Sequence, residues 1–246
     1  MGSQRVRRLL LFLSFLMFPV TFTYISPVLA LWATYNGVAS SGVIFWILVF
    51  LVSMALGRVF CAYACPLGGL QESLDFAIQK PLIGLRFVGA IRYLAAAAWI
   101  GGAVCIAVRG GGYRKVDVFF ENPGFPPYDR EAHIAWLGFT LLAAIVALLL
   151  GKRAFCHHLC FLSPPASLCS YVARLVNYPH LHVRVNERGR CTGCGRCNAA
   201  CPMSLDVRKM VERGFGSHVD CINCSACTAA CRSSAITMVF ARRGRP

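Results

Sequence analysis

Between residues 191 and 231 the chain writes one cysteine pattern twice. Cys191, Cys194, Cys197 and Cys201 follow Cys-x2-Cys-x2-Cys-x3-Cys spacing with Pro202 next, and Cys221, Cys224, Cys227 and Cys231 repeat it, followed by Arg232. Three thiolates on a tight loop hold three corners of an iron–sulfur cubane. In the bacterial two-cluster run the fourth corner comes from the other set. The spacing therefore predicts one [4Fe–4S] cluster on Cys191, Cys194, Cys197 and Cys231, and a second on Cys221, Cys224, Cys227 and Cys201. Zinc also accepts Cys-x2-Cys pairs, but four ligands per ion give no reason for two runs of this length. Gly193, Gly195 and Ser225 keep the loops small, and 182–185 and 236–239 read as short flanking strands. Residues 181–246 are thus expected to be an α+β, bacterial-type two-cluster ferredoxin domain.

The rest of the chain is of another kind. Hydrophobic residues make up 57% of the sequence and charged ones 14%, with mean hydropathy +0.59. A soluble domain carries about 25% charged residues. This balance excludes an ordinary soluble globule and a disordered chain. Net charge is +15, yet the basic residues lie between long apolar runs, the distribution a bilayer imposes rather than a nucleic-acid face. Crossing hydrocarbon takes about 20 apolar residues in a helix. Four runs qualify: 9–32, 43–60, 91–108 and 134–150. The expectation for 1–180 is a membrane all-α domain, a four-helix transmembrane bundle. Pro19 and Pro27 predict a kink in the first span, and Arg92 is placed to snorkel from the third.

Arg5, Arg7 and Arg8, the segment between spans two and three, and fourteen Lys and Arg after Leu150 mark one side as basic. The positive-inside bias then sets both termini in the cytoplasm, with the protein multi-pass in a bacterial inner membrane. The N-terminal apolar stretch is too long for a secretory signal and is followed by a second span, so it is expected to stay on the chain.

The membrane half also repeats itself. Arg58-Val59-Phe60-Cys61-Ala62-Tyr63-Ala64-Cys65-Pro66-Leu67 matches Arg153-Ala154-Phe155-Cys156-His157-His158-Leu159-Cys160-Phe161-Leu162, 95 residues downstream. Each follows the second helix of a hairpin and precedes an apolar stripe at helical spacing: Leu70, Leu74, Ala77 and Ile78, then Leu168, Tyr171, Val172, Leu175 and Val176. Both stripes are expected to be interfacial amphipathic helices. A pseudo-two-fold arrangement brings Cys61, Cys65, Cys156 and Cys160 together as a metal site. Four thiolates suit a third iron–sulfur cluster, another metal or an inter-pair redox disulfide, and the sequence does not choose. Cys105 and Cys169 have no partner at ligand spacing and read as core thiols.

These features resemble NapH-type membrane quinol dehydrogenases, membrane polyferredoxins with four spans, two Cys-x3-Cys motifs and a C-terminal two-cluster ferredoxin. The likeness spans nearly the whole chain. It departs where Phe161, not proline, follows Cys160. The resemblance implies a redox subunit of a quinol dehydrogenase complex. Such a subunit moves electrons between the quinone pool and a ferredoxin-type or multihaem cytochrome partner, within a hetero-oligomeric assembly. Quinol oxidation releases protons, so His157 and His158 are candidate proton acceptors, and Arg58 and Arg153 candidates to hold developing negative charge. His133, Asp129 and Glu131 offer a second site on the outer side. No Cys-x2-Cys-His motif is present, so covalent haem is not expected. The alternative function is an accessory polyferredoxin that supplies electrons for maturation or regulation of a metalloenzyme. A transporter fits poorly, because no acidic residue falls inside the expected spans.

Overall fold

The structure, a computed structural model, describes residues 2–75, 82, 86–121, 130–214 and 218–242. Proline divides the first apolar run. α1 (Gly2–Leu16) is followed by a single turn, α2 (Phe18–Thr21), with Pro19 at its start. α3 (Pro27–Tyr35) opens on Pro27 behind the N-cap Ser26, whose Oγ accepts the Leu29 N–H at 3.4 Å. Proline is tolerated at a helix start because that N–H has no intrahelical partner. The expected 9–32 span is therefore three helical pieces.

Glycine shortens the second. α4 (Ser41–Leu56) stops at Gly57, whose φ of 69° and ψ of −150° are open to glycine alone. The end of the expected 43–60 run thus belongs to α5 (Val59–Tyr63). With 16 residues, α4 rises about 24 Å, short of the roughly 30 Å hydrocarbon core. α7 (Arg86–Arg109) and α8 (Arg130–Leu150) meet the length requirement. Among the described residues they are the two helices long and apolar enough to cross a membrane, over Gly89–Arg109 and His133–Leu150. Only 11% and 17% of those stretches is buried, so large apolar residues such as Leu94, Val104, Leu141 and Leu149 face outward. A soluble monomer rarely carries an exposed apolar surface of that extent. A short parallel pair, β1 (Val38–Ala39) with β2 (Lys115–Val116), joins two inter-helix segments.

The two expected interfacial helices separate in fate. α6 (Pro66–Ser73) is not interfacial: Pro66 to Gln71 are all buried, packed under α1. Gly69 permits that approach, since a Cβ there would overlap the Leu11 carbonyl. Ala77 and Ile78, the end of its stripe, lie outside the described residues. α10 (Ser163–Leu175) keeps the expected amphipathic form. Its Pro165, Ala166, Ser170 and Ala173 are buried on the side that packs on α4, while Leu168, Tyr171 and Leu175 are exposed.

The tail forms a small α+β unit. β3 (His180–Val185) and β4 (Ile236–Ala241) pair antiparallel with Val183 opposite Met238, two residues longer per strand than expected. α11 (Arg196–Ala200), α12 (Val207–Glu212) and α13 (Ala226–Ala230) pack beside them. Val183, Met203, Val207, Val211, Ile222 and Ile236 fill the interior. This unit is seated on the helices. Asn223 Nδ2 donates to the Leu56 carbonyl at 3.0 Å and the Leu181 carbonyl at 2.8 Å. Gln4 Nε2 donates to the Cys224 carbonyl at 2.9 Å. Arg92 does not snorkel: it is buried, stacks on Tyr93 and donates to Asp220 Oδ1 at 2.9 Å.

Candidate metal centres

Cys191, Cys194, Cys197 and Cys231 line one cavity of about 450 Å³ at the edge of the tail, with Arg196 and Arg208 on its rim. The loop that carries the first three turns through Gly193 at φ 68° and Gly195 at φ 70°. The backbone N–H of Arg196 draws the exposed Cys194 thiol below its ordinary value, the direction a metal thiolate needs.

Cys201, Cys221, Cys224 and Cys227 line a second cavity, much tighter at about 30 Å³ and walled by Val183, Val207, Met203 and Met238. Burial pushes Cys221 up to about 11, and Cys227 higher still. The two loops superpose in conformation. Asn223 at φ 55° and Ser225 at φ 59° take the places of Gly193 and Gly195, and Ser204 at φ 51° matches Ser234 at φ 52°. Cys201 leaves its helix at φ −76°, ψ 114° and Cys231 at φ −83°, ψ 102°. The turn after Cys231 thus forms without proline. Both cavities are lined by four thiols drawn crosswise from the two motifs and by no carboxylate. That all-sulfur donor set suits iron–sulfur ligation.

The repeated Cys-x3-Cys turns are also alike. Gly57 and Gly151, both at positive φ, end the preceding helices. Cys65 N–H reaches the Phe60 carbonyl at 2.9 Å, and Cys160 N–H the Phe155 carbonyl at 3.0 Å. After Cys65, α6 begins at once on Pro66. After Cys160 the chain takes two more residues before α10, with Pro164 and Pro165 in its first turn. The four thiols converge, each within electrostatic reach of the others. Burial pushes Cys160 up to about 12, and Cys156, on α9 (Ala154–His158), is buried. Among the described residues no cysteine is in a disulfide, and no group of three His, Cys, Asp or Glu side chains is close enough to hold a single metal ion. Tetrahedral zinc would set thiolates about 3.8 Å apart.

The two arginines of the repeat have different roles. Arg153, at φ 49°, donates to the Cys61 carbonyl at 2.7 Å and to Glu72 Oε1 at 2.6 Å. Glu72 also takes two bonds from Arg7, both 2.8 Å. Arg58 instead faces Asp220 Oδ1 at 3.6 Å. His157 and His158 sit at the junction, not beside free space. His157 Nε2 bonds the Met203 carbonyl at 3.0 Å, and burial lowers its pKa to about 4, leaving it neutral at pH 7. His158 Nδ1 bonds the Ala154 carbonyl at 2.9 Å. His133 and Glu131 stand at the start of α8, while Asp129 lies outside the described residues. Cys105 is exposed on α7 and Cys169 half-buried, so neither is a core thiol. Sequence reasoning missed Gln71, which donates to Cys156 Sγ at 3.3 Å and accepts from Phe155 N–H at 3.2 Å. It also missed Glu72 and Asp220; Asp220 directly precedes Cys221, which was the one available signal.

Residues 38–82 and 132–162 match a family described as a 4Fe-4S binding domain, and residues 190–236 match the 4Fe-4S dicluster domain. The first match takes in both Cys-x3-Cys turns and the second all eight tail cysteines. The chain is therefore an iron–sulfur protein with two ferredoxin-type 4Fe-4S regions. Among curated relatives, it is 24% identical over 175 residues to YccM of Escherichia coli (strain K12), whose name proposes an electron transport role; the match covers 66% of this chain and 46% of that one. It is also 24% identical over 208 residues to the uncharacterised MJ0749 of Methanocaldococcus jannaschii, covering 78% of this chain and 68% of that one. The chain thus spans about half the length of the first relative. No solved structure matches it.

Proposed function

We propose that this chain is a membrane electron-transfer subunit that moves electrons between the quinone pool and a partner redox protein. The partner class is a ferredoxin-type or multihaem cytochrome subunit in a hetero-oligomeric complex. One packing observation carries the reading. Cys61 and Cys156 of the paired turns share a continuous apolar core with Cys201, Cys224 and Cys227 of the inner tail site, and with Cys191, Cys197 and Cys231 of the outer one. One packed core thus links the three thiol sites.

When bound, a [4Fe–4S] cluster accepts or gives one electron at a time. A quinol gives two electrons and two protons, so more than one single-electron site is needed. Cys61, Cys65, Cys156 and Cys160 would hold a third cluster. Their support is the convergence of four thiols and the 4Fe-4S description of the family that matches both turns. Arg153 fixes the Cys61 backbone and Gln71 the buried Cys156 thiol. Asp220, with Arg58 and Arg92, holds the tail against the helices. The four-span topology with cytoplasmic termini belongs to this proposal, supported by the outward-facing apolar helices and the basic tail.

The test is anaerobic reduction. Protein reconstituted in vesicles is mixed with decylubiquinol as sole reductant. The proposal expects bleaching of the iron–sulfur absorption. Full reducibility by dithionite with no response to the quinol would overturn it.

A further inference from the structure

A cavity of about 440 Å³ lies among α2, α3, α4 and α8 and shares no lining residue with the two tail sites. That size falls within the roughly 300–1,000 Å³ of small-molecule sites. Its walls are apolar and ring-rich, with Phe22, Trp46, Phe139 and Phe155 among them. At one end stand Arg58, Cys61, Cys65 and Cys160. Near the other are Val28 and Leu142, exposed apolar residues on the outer surface. The space therefore runs from an apolar entrance to the paired thiols.

Arg58 gives the cavity its chemistry. Its side chain is 2% exposed. Its Nε and Nη1 have no hydrogen-bond acceptor, and the Asp220 contact at 3.6 Å is too long to be one. A buried donor without an acceptor costs about 1–3 kcal/mol, more when charged. Arg153, its counterpart in the repeat, is bonded through both terminal nitrogens and does not line the cavity. The ligand this site fits is apolar over most of its surface, flat enough for aromatic walls, and carries an oxygen acceptor at the end that reaches Arg58. Beside four redox-competent thiols, that description is of a quinone ring with an apolar tail.

We infer that the ring-lined part of this cavity, between its apolar entrance and the paired thiols, is the quinone-binding site and that Arg58 hydrogen-bonds a ring oxygen there. The inference rests on the quinone reading above and adds its location and its anchoring residue.

The full chain, anaerobically reconstituted in detergent, is titrated with decylubiquinone while tryptophan fluorescence is read; Trp46 lies in the wall. The wild type is expected to show saturable quenching. Arg58→Gln should weaken decylubiquinone binding at least tenfold. It should leave competition by decylbenzene, which has no oxygen, unchanged. Val49→Phe fills the apolar part of the cavity, on α4 away from the thiols. It should abolish saturable quenching with iron content unaltered, and it decides the matter alone if Arg58→Gln fails to assemble. Wild-type affinity for decylubiquinone in both variants would overturn the inference while leaving the quinone reading intact, and so would an Arg58→Gln protein with a shifted cluster potential but unchanged affinity. Absence of any quenching in a wild-type protein that dithionite fully reduces would sink both.

Discussion

Arg58 and Arg153 occupy the same place in two copies of one motif, and the fold uses them differently. Arg153 is locked. It bridges the Cys61 carbonyl and Glu72, and Glu72 is gripped from the other side by Arg7. Arg58 is under-bonded, with a long contact to Asp220 and both Nε and Nη1 unmatched, where Arg153 leaves only Nε unmatched. The first copy of the repeat thus presents a donor to a cavity, and the second closes a buried ionic knot. A duplicated sequence brings four cysteines to one place, while the residues around each copy decide which arginine is structural and which is available.

The largest effect is expected at the knot. Glu72→Ala leaves two buried guanidinium groups unpaired, and losing one partner of a buried ion pair costs about 3–5 kcal/mol. Denaturant unfolding in detergent measures this. Burial alone would raise the Glu72 pKa, but Arg153 and Arg7 hold it below its ordinary 4.5. The unfolded chain therefore takes up its proton first as pH falls. The stability that Glu72 contributes is complete above about pH 4.5 and is lost on acidification through the lower folded value. Glu72→Gln should flatten that acid limb.

Next come the glycines that end the two hairpins. Gly57→Ala and Gly151→Ala each force a side chain into a positive-φ backbone, costing of order 1–3 kcal/mol. At Gly57 a Cβ would also overlap the Asn223 amide. Gly57→Ala should therefore cost more and speed proteolytic release of the tail, whereas Gly151→Ala should leave the tail seated. A smaller contrast separates the two tail loops. Asn223→Ala removes bonds to Leu56 and Leu181, about 1–3 kcal/mol if the buried acceptors stay unmet. Arg208→Ala at the outer site removes an exposed contact to the Gly193 carbonyl and the Glu212 pair, and solvent screening makes its effect the smaller of the two. Thermal melts of the two variants check the order.

The same contrast explains what the sequence made legible. Ligand spacing is a local code, so the crosswise grouping of the eight tail cysteines and the two flanking strands could be read directly. The repeat was legible too, because Phe-Cys-x3-Cys recurs intact. Helix length was not. Composition counts apolar residues and sees no difference between an unbroken run and one that Pro27 or Gly57 interrupts. The helix α6 misled for a related reason: its stripe of Leu70 and Leu74 reads as interfacial, yet Gly69 lets it sink beneath α1. The division of labour between Arg58 and Arg153 depends on Glu72, Arg7 and Asp220, up to 162 residues away in the chain. No local pattern carries that.

The claim on which the rest depends is that Cys61, Cys65, Cys156 and Cys160 form a third iron–sulfur site continuous with the two in the tail. Iron and acid-labile sulfide per chain, measured on anaerobically purified protein, test it most directly. The account predicts about twelve iron atoms per chain, falling to about eight when Cys61 and Cys156 are both changed to serine. A wild-type value of about eight, unmoved by that double change, would contradict it.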